Sequence, residues 1–157
     1  NVAKRIIDCA KENSIEIIVR ITADCPIIDP NIIDECIKLH LNKNNDYTSN
    51  TLNLSFPDGL DVEVFNLDTL IQSQKLSKTS YNQEHVTEFM IRSEKFKRYS
   101  YRNSVNYSNR RWTLDHLWDY IFFQKVLKHF SKSIYFSWKD LINAEKVNNE
   151  LINIKKR

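Results

Sequence analysis

Glycine is almost absent from this sequence: one residue, Gly59, in 157. A Gly-rich loop that cradles phosphate through closely approaching backbone N–H groups cannot be built from that. Cysteine is scarce too. Three of them, an odd number in a chain of this size, make no disulfide framework, and no His–Cys pair stands at a spacing that would activate a thiol. No apolar run approaches the ~20 residues that cross a bilayer, and nothing at the front reads as a signal peptide. Charge of one sign is missing as well. The net is +3 with acids and bases interspersed, so neither nucleic acid nor a membrane surface is demanded as a partner. There is no internal repeat, low-complexity block or linker, and the chain opens on Asn1 without a methionine.

What is present describes one ordinary domain, residues 1–157, long enough to bury a core. Reduced thiols suit a cytoplasmic setting. Cys9 and Cys36 fall among apolar residues on predicted helices and read as small core residues.

The stretch Ile15–Pro30 organises the rest. Ile15, Ile17, Ile18, Val19 and Ile21 form a short β-branched run, interrupted by Glu16 and Arg20. That pattern predicts a central strand of a parallel sheet, covered on both faces. Thr22, Asp24 and Cys25 follow at its C-terminal end, and Pro26 helps to stop it. Ligands of open α/β sheets bind outside the carboxyl ends of strands. Asp24 is therefore either a metal- or phosphate-handling group or a turn residue.

Around that strand the chain reads as alternating elements. Val2, Ile6, Cys9 and Ala10 give a helix over residues 2–12. Asp29-Pro30 is a helix start, with Asp as N-cap and Pro at the first helical position. Tyr47–Ser49 suggests a short strand. Pro57-Asp58-Gly59 is turn chemistry, and Leu60, Val62 and Val64 then alternate against Asp61 and Glu63. The expected strand has one apolar face and one open face carrying two carboxylates. Asn66 is placed to cap a helix through Leu67, Leu70 and Ile71, and Tyr81–Arg92 reads as one further helix with Glu84-His85 near its start. Phe96–Tyr101 is a predicted strand, as is Arg110–Asp115, ending in an aspartate like the first. Leu117, Trp118, Ile121, Phe122, Val126 and Phe130 then lie at helical spacing and are expected in the core. Ser137 and Asp140 form a capping box for a last helix, and Lys155-Lys156-Arg157 reads as a solvated tail.

Four segments, in this order, resemble one family. They are Val19–Pro30, Phe56–Phe65, Glu84-His85-Val86-Thr87 and Arg111-Trp112-Thr113-Leu114-Asp115. Together they are similar to the signatures of cytidylyltransferase-like sugar nucleotidyltransferases, in the spore-coat polysaccharide branch related to the synthetases of CMP-Kdo and CMP-sialic acids. Ala23 stands where that family usually has glycine, Glu88 where proline is common, and His116-Leu117-Trp118-Asp119 where Thr-Pro-Glu-Asp is common. The resemblance implies an α/β, three-layer, Rossmann-like nucleotide-diphospho-sugar transferase fold with a mixed, mostly parallel sheet. It also implies that the family's first strand and basic nucleotide loop are missing, so that residues 1–157 are expected to be the C-terminal portion of such a domain and inactive alone.

By resemblance, Asp24 and Asp115 are the catalytic pair that holds Mg²⁺. CTP and a sugar, acidic by expectation, are the substrates, with CMP-sugar and pyrophosphate as products, and a homodimer is compatible. Arg111 could pair with a sugar carboxylate or serve a structural ion pair. Asp61 and Glu63 could accept hydrogen bonds from sugar hydroxyls, and His85 could orient the sugar or lie on a helix surface. Cys25 reads as packing beside the site. A different class stays open: an inactive binding or assembly module of a polysaccharide pathway. An aspartyl-nucleophile phosphatase would want a second acid where Pro26 stands.

Overall fold

The computed structural model describes residues 1–77 and 79–153, which leaves the expected basic tail outside the described residues. The elements are α1 (Val2–Glu12), β1 (Ile17–Arg20), α2 (Pro30–Lys43), β2 (Tyr47–Ser49), β3 (Glu63–Asn66), α3 (Leu67–Leu76), α4 (Ser80–His85), α5 (Glu88–Arg92), β4 (Arg98–Ser100), α6 (Leu117–His129) and α7 (Trp138–Val147). The fold is α/β. The chain divides into two compact units, one made of Asn1–Arg20, Ile33–Asn53 and Val62–Tyr101, the other of Ile21–Ile32, Leu54–Asp61 and Arg102 onward.

The first unit carries a mixed four-stranded sheet in the order β1-β3-β2-β4. β3 runs antiparallel to both neighbours, with Val19 opposite Val64 and Thr48 opposite Val64 on its two sides, while β2 and β4 are parallel. The β-branched run does form a strand. It stands at the end of this order, however, and its ladder partner is antiparallel, so Ile15, Val19 and Ile21 are exposed. An apolar run specifies extended backbone; the neighbour and its direction come from connections that periodicity does not encode. Ala3 of α1, Leu70 of α3, Met90 of α5 and Val86, which lies between α4 and α5, are buried with Tyr47, Phe65 and Phe96 in one cluster.

The predicted strand after Gly59 is shorter than expected and has no open face. Leu60, Val62, Val64 and Phe65 are fully buried, and Glu63 is buried as well. Asn66 precedes α3 without capping it: its side chain donates to Asn45 O and meets His40 Nε2 instead. The helix expected over Tyr81–Arg92 is broken in two at Val86, whose φ is 56°. Cys36 is buried as expected, whereas Cys9 lies on the exposed side of α1.

The second unit is built around α6, α7 and a crossing of two loops. Asp29 works harder than a single cap. Its Oδ1 accepts from Asn31 N (2.9 Å) at the start of α2, and its Oδ2 accepts from Trp138 N (3.1 Å) at the start of α7. The Ser137–Asp140 capping box forms as read from the sequence. The Trp138 ring takes edge contacts from Phe56 and Tyr107 at 5.6 and 5.8 Å. Arg110–Asp115 is not a strand. A lone parallel bridge joins Arg111 to Asp58, with Asp58 N donating to Arg110 O (3.1 Å) and Trp112 N to Asp58 O (2.6 Å). That close crossing explains the single glycine: Gly59 has φ 101°, and a Cβ there would sit 2.8 Å from Thr113 N and overlap the Trp112 carbonyl. On α6 the apolar stripe is split. Phe122, Phe123 and Val126 are buried, but Leu117 and Trp118 in the first turn are 68% and 75% exposed. Spacing defines a face and leaves open what covers it.

Candidate functional site

Asp24 follows β1 in a tight turn, with Cys25 N donating to Thr22 O (3.2 Å) and the Thr22 hydroxyl 3.4 Å from the Cys25 thiol. Cys25 is the buried anchor of that turn, 3.8 Å from Asp24 Oδ1. Burial pushes its thiol up; the charges of Asp61 and Asp24 add to this, against bonds from Thr22 and the Asp61 backbone. A thiol held protonated in this way is packing, not a nucleophile. The same relation brings Asp61 close to the Asp24 turn.

Leu114 N donates to Asp24 O (2.8 Å). The segment carrying Asp115 is therefore clamped to the segment carrying Asp24 through the residue immediately before Asp115. Two segments that the sequence separates widely are thus joined backbone to backbone.

Asp115 is held by Arg111 and by a residue that sequence reasoning missed. Arg111 Nη2 lies 2.6 Å from Asp115 Oδ2 and 3.1 Å from Asp119 Oδ2, and Nη1 lies 3.7 Å from Asp58 Oδ2. Asp119 sits at N3 of α6, where its Oδ2 also accepts from Asp115 N and His116 N, each at 3.0 Å. Burial works to raise its carboxyl, but Arg111 and the two backbone donors outweigh it and hold the group below the ordinary aspartate range. Asp119 and Asp115 in turn raise the Arg111 guanidinium. A capping-box spacing, His116 to Asp119, is the signal that could have pointed to Asp119. Asp58 gave no separate signal, because its place in Pro-Asp-Gly already accounts for it as a turn residue. Arg111 thus binds three carboxylates of its own chain, which is the structural arm of the two roles open to it.

Glu63 and His85 belong to the other unit. Glu63 is not on an open face: Tyr47 and Thr87 donate to its Oε1 at 2.7 and 2.6 Å, and Arg20 pairs with Oε2. His85 is exposed at the end of α4, its ring 4.2 Å from that of Tyr81.

The donor chemistry at Asp24 and Asp115 fits Mg²⁺, which takes oxygen ligands and usually asks of the protein only one or two carboxylates, completing its shell with water and phosphate oxygens. Among the described residues no group of three His, Cys, Asp or Glu side chains forms an all-protein cage.

A solved structure of a cytidylyltransferase from Leptospira borgpetersenii superimposes with a TM-score of 0.91 at 33% identity, covering 99% of this chain and 66% of that one. An uncharacterized protein of Methanocaldococcus jannaschii is 32% identical over 148 residues, 92% of this chain and 56% of its own length. The spore coat polysaccharide biosynthesis protein SpsF of Bacillus subtilis is 29% identical over 115 residues, 65% of this chain and 45% of its own. The chain spans about half the length of the curated relatives it matches. The family model for cytidylyltransferases matches residues 1–147, and the chain belongs to the cytidylyltransferase family.

Proposed function

We propose that this chain serves a Mg²⁺-dependent transfer of the cytidylyl group from CTP to a sugar, in the cytoplasm, for a surface polysaccharide. The observation that carries the reading is the Leu114–Asp24 backbone bond, which joins the segment of Asp24 to the segment of the Arg111-bound Asp115. Family membership supplies the reaction class, and the likeness to SpsF supports the polysaccharide role. No helix among the described residues is long and apolar enough to cross a membrane.

In the reaction a sugar hydroxyl oxygen attacks the α-phosphorus of CTP, its proton leaves, and the bond to pyrophosphate breaks. Negative charge grows on the phosphate oxygens, so the demand on the protein is prepositioned charge and orientation. Bound Mg²⁺ would supply positive charge to those oxygens, held by Asp24 and Asp115. Arg111 and Asp119 keep Asp115 in place, and the Thr22–Cys25 turn keeps Asp24 in place. Asp61, in the same unit as Asp24 and Asp115, is assigned to the sugar hydroxyls. The expectation of an acidic sugar comes from the family resemblance; Arg111, which could have met its carboxylate, shares its charge among Asp58, Asp115 and Asp119, so a neutral sugar enters the substrate class beside it.

The test combines two measurements. Mn²⁺, a spectroscopic stand-in for Mg²⁺, is titrated into this chain with CTP, and pyrophosphate release is followed in the full-length gene product with one neutral and one acidic sugar. Ion binding and turnover should both fall in Asp24→Asn and Asp115→Asn. Turnover that ignores both substitutions, in folded protein, overturns the reading.

A further inference from the structure

Leu117, Trp118, Tyr120 and Ile121 are exposed on the first turns of α6, and Ile134 and Tyr135 follow in the loop after it, 72% and 93% exposed. All six lie in the second unit. Leu114, Tyr120 and Ile134 border one apolar groove of about 380 Å³, so the helix and the loop meet in one face. Apolar residues scattered singly over a surface need no explanation, whereas a clustered set does. Leu117, Ile121, Lys125 and Lys128 succeed one another at helical spacing, which puts lysines on the same side of α6 as the apolar groups.

The charge of this face has one sign. Residues 116–139 hold Lys125, Lys128, Lys132 and Lys139, all exposed, and a single acid, Asp119, which is buried against Arg111. Of the four lysines only Lys125 has an ion-pair partner among the described residues, Glu150 at 3.6 Å. A net charge of +3 over the whole chain conceals this local excess. A second copy docking here face to face would bring lysine against lysine, which disfavours it. Arginine, whose fork grips individual phosphates and carboxylates, is absent from the segment; lysine, a point charge on a flexible stem, suits a diffuse layer of negative charge. Trp118, Tyr120 and Tyr135, each an apolar ring with a polar tip, are the residue types that settle where hydrocarbon meets water.

We propose that this face binds the surface of an anionic lipid bilayer, with Leu117, Trp118, Ile121 and Tyr135 entering the acyl boundary and the lysines meeting the headgroup phosphates. Peripheral attachment of this kind draws on buried apolar area and on attraction to anionic lipid together. It needs no membrane-spanning helix, and none is found among the described residues. The proposal is independent of the transfer reaction.

The test sediments the full-length gene product with vesicles of phosphatidylcholine, alone or in equal parts with phosphatidylglycerol. Trp112 and Trp138 are buried and Trp118 is exposed. Trp118 emission should therefore shift to the blue on the anionic vesicles, and this shift should vanish in Trp118→Phe while sedimentation remains. The anionic vesicles should bind about tenfold or more tighter than the neutral ones, and Lys128→Gln and Lys132→Gln should each weaken binding about fivefold, the worth of one lysine near such a surface. Leu117→Gln combined with Trp118→Gln should abolish sedimentation at an unchanged melting temperature. Should that variant not fold, Tyr135→Ser takes its place and should weaken binding as well. A protein that ignores the anionic vesicles, or whose folded variants bind them as the wild type does, overturns the proposal. Self-association without lipid that Trp118→Gln dissolves also overturns it, because a second copy then covers the face. Homopolymeric RNA that binds as tightly as the vesicles and displaces them overturns it in favour of a nucleic-acid surface.

Discussion

Gly59→Ala is the most direct test of the loop crossing that carries Arg111 and Asp115. The backbone at Gly59 sits at φ 101°, and a methyl group there meets the Trp112 carbonyl and, at 2.8 Å, Thr113 N. An L side chain in the left-handed region costs about 1–2 kcal/mol. Overpacking against neighbours that cannot yield adds about 1–3 kcal/mol, and these neighbours are backbone, tied through Asp58 to Arg110 and Trp112. Alanine also restricts the unfolded chain, which returns about 0.4–1 kcal/mol. The net is about 1–4.6 kcal/mol, or roughly 2–18 °C in melting temperature for a domain of this size. Urea titration with thermal melting measures it, and Arg111–Asp115 pairing should loosen in the same variant because the two loops are forced apart. A Gly59→Ala protein that melts at or above the wild-type temperature would falsify the crossing as described.

Three further outcomes follow from the site. Asp24→Asn and Asp115→Asn should each lower kcat on the order of 10²-fold and be far from additive, since one missing ligand already disables a shared ion; two independent, multiplying losses measured in the full-length gene product would refute a shared site. The Asp119 carboxyl titrates lower in the folded chain than in the unfolded one, so the folded state binds fewer protons across that window, and its stabilisation is complete above about pH 4 and lost as pH falls through the folded value. Acid unfolding should therefore shift to higher pH in Asp119→Asn, and an unchanged acid midpoint would contradict the network. Native thiol labelling should modify Cys9 quickly and the other two slowly, because Cys25 and Cys36 are buried and burial drives Cys36 up to about 12; equal rates at all three would show that the Thr22–Cys25 turn opens freely.

What was legible in the sequence is what short-range chemistry decides. Asp29-Pro30 and Ser137–Asp140 mark helix starts because a cap is a contact among neighbours in the chain, and α2 and α7 begin there. Gly59 was readable as a turn for the same reason. The helix break at Val86 was not, since it is held by Glu63, far away in sequence, against a periodicity that favours continuity. Glu63 itself was misread: alternation put it on a solvent face, while Tyr47, Thr87 and Arg20 supply a polar lining that no two-residue period reveals. Asp24 has an ordinary turn reading and Asp115 the place of a residue ending an expected strand, and only the resemblance joins them; the three partners of Arg111 come from tertiary structure.

Val86 also says something about how much sequence change this position can absorb. The backbone there favours glycine, by about 1–2 kcal/mol over an L residue. The core favours the isopropyl group, whose burial contributes about 1.5–3 kcal/mol. The two preferences oppose each other with similar weight, a frustration confined to one residue. Larger side chains are penalised by the fully buried setting and smaller ones by the void they leave. Substitution at Val86 is thereby restrained from both directions, although its side chain makes no polar contact at all.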